Sequence, residues 1–178
     1  WVGSNDEGVQ KIIPASEENP SSTQYYTTQN GLPNNSIRAF AEDRHHNIWI
    51  GTSSGIVYIT PEGKFKTPKI NGTEHQNLVL VSLLFKDTSD KIWMATSSFK
   101  GLYTLDEDTF NPVTMLDDFG DYIVSGMGQD SNGDIWIGLS EKGLVKFSNG
   151  KITKVESGTY LDNTPTYEVY GDKSGTIW

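Results

Sequence analysis

Apolar residues in this chain come in short runs of β-branched and aromatic side chains, each bounded by Gly, Asn, Asp, Ser or Pro. Residues 30–59 hold one passage of the pattern: an Asn/Gly/Pro break, the run SIRAFAE ahead of Asp43, a polar break, NIWIGT, a Gly break, and IVYI. Runs of this length between turn residues predict strands, and no stretch sustains a helical period of about 3.6 residues. Aligned on Trp, the unit returns as KDTSDKIWMATSSFKGLYTL, as QDSNGDIWIGLSEKGLVKF, and as GDKSGTIW. The opening WVGSNDEGVQKI reads as the second half of that last copy. The marker residues Trp1, Trp49, Trp93, Trp136 and Trp178 lie 48, 44, 43 and 42 residues apart.

A repeat in the forties with several short strands per unit predicts an all-β fold of β-propeller blades. Four repeats of four-stranded antiparallel sheet are expected over residues 1–178 as one repeat domain, forming a four-bladed ring or part of a larger propeller. The strands expected, from the innermost outward, are 36–42, 47–52, 56–60 and 64–69; then 78–86, 91–96, 102–105 and 111–115; then 122–129, 134–139, 144–148 and 151–155. Residues 1–13 supply a strand, a turn and a strand, 14–22 an insertion, and 23–28 an outer strand; 165–170 and 176–178 begin a further copy. Because the chain opens and closes inside one motif, it reads as a piece of something longer. The same arrangement predicts that residues 166–170 pair with the strand starting at Trp1, in one chain or through a second copy, removing a free sheet edge. The five Trp residues are expected to anchor blade against blade.

Asp43, Asp87, Asp130 and Asp172 each stand six residues before a Trp, and His46, Asp90, Gly133 and Gly175 stand three before it. A tight hairpin accounts for both. A short carboxylate bonds backbone N–H groups two residues on, and a later position needs positive φ, which Gly adopts freely and His and Asp more readily than most.

At these residues the sequence resembles the two-component regulator propeller repeat, G-L-P-x-N-x-V followed by D-x-x-G-x-I/L-W-I/V-G-T-x-x-G-L. Residues 31–37 (GLPNNSI), 43–52 (DRHHNIWIGT), 55–56, 130–138, 143–144 and 172–178 follow it. One connection alone carries the GLPNN form, and Met94-Ala95 replaces the usual Ile-Gly. The resemblance implies the extracytoplasmic, periplasmic sensor region of a hybrid histidine kinase. Such regions are usually seven-bladed propellers, and many respond to oligosaccharides. It implies a non-enzymatic sensor segment, with any kinase elsewhere in a parent chain, no cofactor, and self-association in signalling.

Composition narrows the partners. The 178 residues carry 14 Lys and Arg against 23 Asp and Glu, a formal net charge of -9, with no basic cluster, so nucleic acid and anionic membrane are poor partners. With no Cys, disulfides and thiolate metal sites are excluded. No apolar run reaches the length of a membrane span. Asp130, Asn132, Asp134 and Glu141 occupy positions 1, 3, 5 and 12 of a calcium loop, but Ile135 stands at the sixth position and the other copies lose the ligands. A turn is the better reading. His45-His46 and the remote His75 make no metal pair, and Asp117-Asp118 and Glu17-Glu18 read as solvated loop charge.

Strand direction gathers the connections between blades and the turns between second and third strands on one face, with the amides and hydroxyls that sugars need. Asn34 and Asn35 directly precede an innermost strand. Arg38 lies in that strand where the aligned copies have Ser82, Ser125 and Tyr167, so it answers either to a ligand carboxylate or to an internal partner such as Glu168. Phe99 lengthens a turn and offers a ring for stacking. These four residues are the expected contacts for a small ligand, an oligosaccharide above all. A protein–protein scaffold and a propeller-fold lyase or hydrolase are the rival readings.

Overall fold

The computed structural model describes residues 1–16, 19–72, 79–97, 101–113, 116, 121–155 and 164–178. Among the described residues, sixteen strands make four sheets, with a 3-10 turn at Thr28–Asn30. Blade 1 contains β1 (Val2–Gly3), β2 (Val9–Ile13) and β3 (Ser22–Tyr26); blade 2 contains β4 (Ile37–Glu42), β5 (Ile48–Thr52), β6 (Gly55–Ile59) and β7 (Phe65–Lys66). Blade 3 is built from β9 (Val81–Lys86), β10 (Ile92–Thr96), β11 (Leu102–Asp106) and β12 (Thr109–Pro112), with β8 (Lys69–Ile70) added at its outer edge. Blade 4 holds β13 (Val124–Gln129), β14 (Ile135–Leu139), β15 (Gly143–Ser148) and β16 (Lys151–Lys154). Within blades 2 and 4 each strand pairs antiparallel with the next in sequence, as the repeat predicts.

Three apolar clusters fill the three seams between sheets. Val9, Leu32, Ile50, Val57 and Ile59 lie between blades 1 and 2. Trp49, Ile56, Ile70, Val81, Met94 and Phe110 lie between blades 2 and 3, and Trp93, Val124, Ile135, Ile137 and Leu139 between blades 3 and 4. Alternate residues of β5 serve different seams, Ile50 one and Trp49 the other, because successive side chains point to opposite faces. That is why the second strand of each unit reads as a near-continuous apolar run: both of its faces are covered.

The glycine in the WxG motif sets the distance between sheets. A Cβ on Gly51 would sit 2.5 Å from Val81 Cγ1, and one on Gly3 would sit 2.5 Å from Ile37 Cγ2; each partner belongs to the next blade's inner strand. Gly138 is similarly crowded by Thr166 and Val169. Blade 3 carries Ala95 at the corresponding place, fully buried.

Two expectations differ from the structure. The strand expected over 64–69 is cut by Pro68: β7 stays in blade 2, while β8 crosses and pairs parallel with β12, Lys69 opposite Thr109 and Ile70 opposite Phe110. A proline has no N–H for the ladder, so the chain leaves one sheet there and can join another. Residues 165–170 form no named strand and do not pair with the start of the same chain, which leaves pairing through a second copy as the form of that expectation to propose. Tyr170 exchanges backbone hydrogen bonds with Trp178, Gly171 bridges Ile177, and β1 pairs with β2 alone. Val169 is nevertheless buried against Gly126 and Gly128 of β13, so the segment takes the inner-strand position without the ladder.

Candidate ligand-binding face

The acidic residue of each repeat has a partner that spacing alone did not disclose. Asp43, Asp87, Asp130 and Asp172 each accept the indole Nε1–H of the Trp six residues on, at 2.9, 2.9, 2.9 and 3.0 Å. The other oxygen of each accepts the backbone N–H groups two and four residues on, in all four copies. His46 and Asp90 sit at φ 60 and 64, and Gly133 and Gly175 at φ 85 and 82, the left-handed turn position that the sequence predicts. Burial pushes the Asp43 carboxyl up, but hydrogen bonds from Asn47, Trp49 and the backbone outweigh it and hold the group below its ordinary range. Bonds from the Ser174 hydroxyl, Trp178 and the backbone bring Asp172 down to about 2.

The Trp residues divide by position. Trp49 and Trp93 are sealed in seams, at 1% and 3% exposure, with Trp49 edge-on to Phe110 and Trp93 edge-on to Phe147. Trp136 is half-buried, with Lys146 Nζ 5.7 Å from its ring centre. Trp1 and Trp178 are exposed, at 37% and 74%, although Trp1 stacks on Tyr26. Trp1 lines a cleft with Ile48 and Ile59 of blade 2.

Three of the four expected ligand contacts can be placed. Asn34 Oδ1 accepts Ser36 N at 2.7 Å and its Nδ2 donates to Ser54 Oγ at 3.3 Å. Asn35 Oδ1 accepts Thr28 N at 2.8 Å, and its carbonyl accepts Gly8 N. The Arg38 Nε–H donates to Ser53 Oγ at 2.9 Å, and Arg38 forms no pair with Glu168; both are exposed. Asn34 and Arg38 therefore meet at one turn, Ser53-Ser54, where the sequence analysis had placed this face of blade 2. Both Asn residues use their side chains to hold the connection, a role the turn chemistry of Asn makes natural. Phe99 lies outside the described residues, as do His75, Asp117-Asp118 and Glu17-Glu18. Beside Asn34 and Ser54 is a cleft of about 310 Å³ lined by Gly31, Pro33, Ile56 and Thr67. A second, of about 490 Å³, runs along the inner strands past Leu83, Phe85, Met127, Gln129, Glu168 and Tyr170.

Other chemistry-bearing groups have local partners. Asp130 spends both oxygens on its turn and on Trp136, and Asp134 takes Lys146 Nζ at 2.9 Å. Glu141 sits at φ 63 in the following turn. His46 Nδ1 lies 2.6 Å from Glu42 Oε1, and Arg44 Nε–H donates to His45 Nε2, all on the opposite face from Ser53-Ser54. That opposite face has its own cleft of about 250 Å³, between Asp43-Arg44-His45 and Asp90-Lys91. No described helix is long and apolar enough to cross a membrane.

Residues 31–54 match the family described as two component regulator propeller. No curated protein matches the sequence. Among solved structures, the extracellular domain described as that of the hybrid two component system BT4673 from B. thetaiotaomicron is 21% identical, with TM-score 0.69 over 91% of this chain and 22% of that one. The corresponding domain of BT3049 from the same organism is 19% identical, with TM-score 0.73 over 99% of this chain and 24% of that one. An inactive virginiamycin B lyase from Staphylococcus aureus, solved with quinupristin, is 13% identical, with TM-score 0.63 over 92% of this chain and 53% of that one. The chain thus spans about a quarter of the length of the two B. thetaiotaomicron domains. Its residues 31–54 are a two component regulator propeller repeat, set in a chain that has the propeller fold of those extracellular domains.

Proposed function

We propose that this chain is a ligand-sensing propeller segment of a hybrid two-component signalling protein, working outside the cytoplasm and without catalysis, and that its ligand is an oligosaccharide. The observation that carries the reading is the regulator propeller repeat at 31–54, which builds the connection and turn where Asn34, Arg38, Ser53 and Ser54 meet. Amide and hydroxyl groups on a rigid rim are what sugar hydroxyls require, and a 310 Å³ cleft beside them is of a size for part of such a ligand. Signalling then follows from differential affinity: a ligand that binds one arrangement of a dimeric parent more tightly shifts the population toward it.

The lyase similarity supports an enzymatic alternative in fold alone, and an assembly scaffold is the other. A glycan array with a thermal-shift screen separates them. Saturable oligosaccharide binding, with a ligand-dependent rise in melting temperature and the sugar recovered unaltered, is the expected result. Cleavage of the sugar would favour the enzyme. No binding by any glycan, with capture of a protein partner, would favour the scaffold.

A further inference from the structure

The inner strands share an irregularity that the repeat pattern does not announce. In β4, Ile37 opposes Thr52 and Ala39 opposes Gly51, so Arg38 is an extra residue with no partner across the ladder. In β9, Val81 opposes Thr96 and Leu83 opposes Ala95, which leaves Ser82 over; in β13, Val124 opposes Leu139 and Gly126 opposes Gly138, which leaves Ser125. Three blades therefore carry a β-bulge at one equivalent position, and bulges re-aim the side chain they carry. In two blades that side chain is a serine whose hydroxyl is out of solvent, so the bulge has no need of a cation. In blade 2 it is an exposed arginine.

The guanidinium is steered by its Nε–H to Ser53, which leaves its two terminal nitrogens without a hydrogen bond among the described residues. A fork of N–H donors so oriented matches a carboxylate bidentately, a geometry that lysine cannot reproduce. No described carboxylate takes that role, in a chain of net charge -9 where acidic groups outnumber basic ones. The geometry points to Arg38 as a carboxylate-binding residue that selects an acidic sugar, a uronic acid unit of an oligosaccharide, at the Ser53-Ser54 turn. This rests on the oligosaccharide reading above and adds the charge of the ligand to it.

The test uses galacturonate, glucuronate and mannuronate oligosaccharides, each as the free acid and as its methyl ester, together with a neutral glycan panel. Binding is measured by calorimetry to the wild-type chain, Arg38→Gln and Arg38→Lys, and melting temperatures report folding. The inference expects at least one free acid to bind, its ester to bind about 10- to 100-fold more weakly, and Arg38→Gln to lose a similar factor at an unchanged melting temperature. Arg38→Lys should recover only part of the loss. Equal binding of acid and ester, or full affinity in Arg38→Gln, would overturn the assignment of Arg38 while leaving a sugar site in place. Binding confined to neutral glycans would do the same. No binding by any glycan would remove the oligosaccharide reading and this inference together. Should Arg38→Gln melt earlier, Ser53→Ala provides the second probe, since it frees the guanidinium without removing it; unchanged acid-over-ester preference there and in Arg38→Lys would also count against the fork.

Discussion

The hairpins at Asp43–Trp49 and Asp172–Trp178 are nearly the same object in two settings. Both close with an indole-to-carboxylate hydrogen bond of 2.9 or 3.0 Å, both feed backbone N–H groups to the other oxygen, and both place a left-handed residue three positions before the Trp. Yet Trp49 is 1% exposed and Trp178 74%. The clasp is local, written within seven residues and formed wherever they occur. Burial is not local; beside Tyr58 on the neighbouring strand, it needs Phe110, brought against Trp49 by the next blade. A repeat motif thus specifies the turn in every copy, and the stability it delivers depends on what lies beside it.

The sharpest way to break this comparison is to truncate both rings. Trp49→Ala should cost about 3–5 kcal/mol, as removal of a large buried aromatic does, whereas Trp178→Ala should stay within about 1 kcal/mol, in the range of surface changes. Urea unfolding of the two variants measures the difference, and equal losses would mean that the clasp rather than the seam carries the energy. A smaller effect is expected at the close-approach glycines. Gly51→Ala should cost about 1–3 kcal/mol, because the new methyl meets Val81 inside a packed seam. Gly138→Ala should cost less: Thr166 and Val169 lie in a segment outside any named strand, and the third neighbour is the end of the short Ser125 side chain. A larger loss at Gly138 would show that segment to be as firmly held as β9.

The smallest effect is a titration. Asp172 has its pKa lowered to about 2 by Ser174, Trp178 and backbone donors. A carboxylate depressed in the folded chain supports its hairpin above the unfolded value, near 4, and loses that support as pH falls toward the folded value. The Trp178 indole N–H resonance should therefore move with a midpoint near 2, and a midpoint near 4 would show the clasp to be open in solution. Asp43 is depressed as well, so the Trp49 resonance should also titrate below the ordinary carboxylate range.

Much of the fold was readable because it is written locally. Strand spacing, the hairpin turns, and the tolerance of His46 and Asp90 at a left-handed position follow from a few neighbouring residues. What was missed depends on residues distant in sequence or on the exact ladder. The motif glycine stood inside an expected strand with no role of its own, but its absent side chain makes room for the next sheet. The bulges at Arg38, Ser82 and Ser125 are a matter of pairing register, which side-chain type does not encode. Residues 165–170 have the composition of an inner strand, yet the ladder beyond Gly171 and Tyr170 requires a longer partner than Thr176-Ile177-Trp178 supplies. For the candidate site, Asn34 and Arg38 converge on the Ser53-Ser54 turn, and the side chains of Asn34 and Asn35, expected to face a ligand, already accept backbone N–H groups.

The crossing of β8 changes how this array comes apart. In a stack of repeats, each unit is held to the next mainly by side-chain contacts, and separation can begin at any junction. Between blades 2 and 3 the junction is also laced by main chain: Lys69 and Asn71 bond the backbone of Asp108 and Phe110, and Asn71 reaches the side chain of Asn111. Ile70 is sealed beneath that lacing. Opening this junction therefore means dissolving a piece of sheet as well as a packed seam. Among the described residues, blades 1 and 2 are joined across their seam by two main-chain bonds, Gly8 N–H to Asn35 and Ile37 N–H to Ser4, with no shared ladder. The expected order of opening thus has blades 2 and 3 separating last.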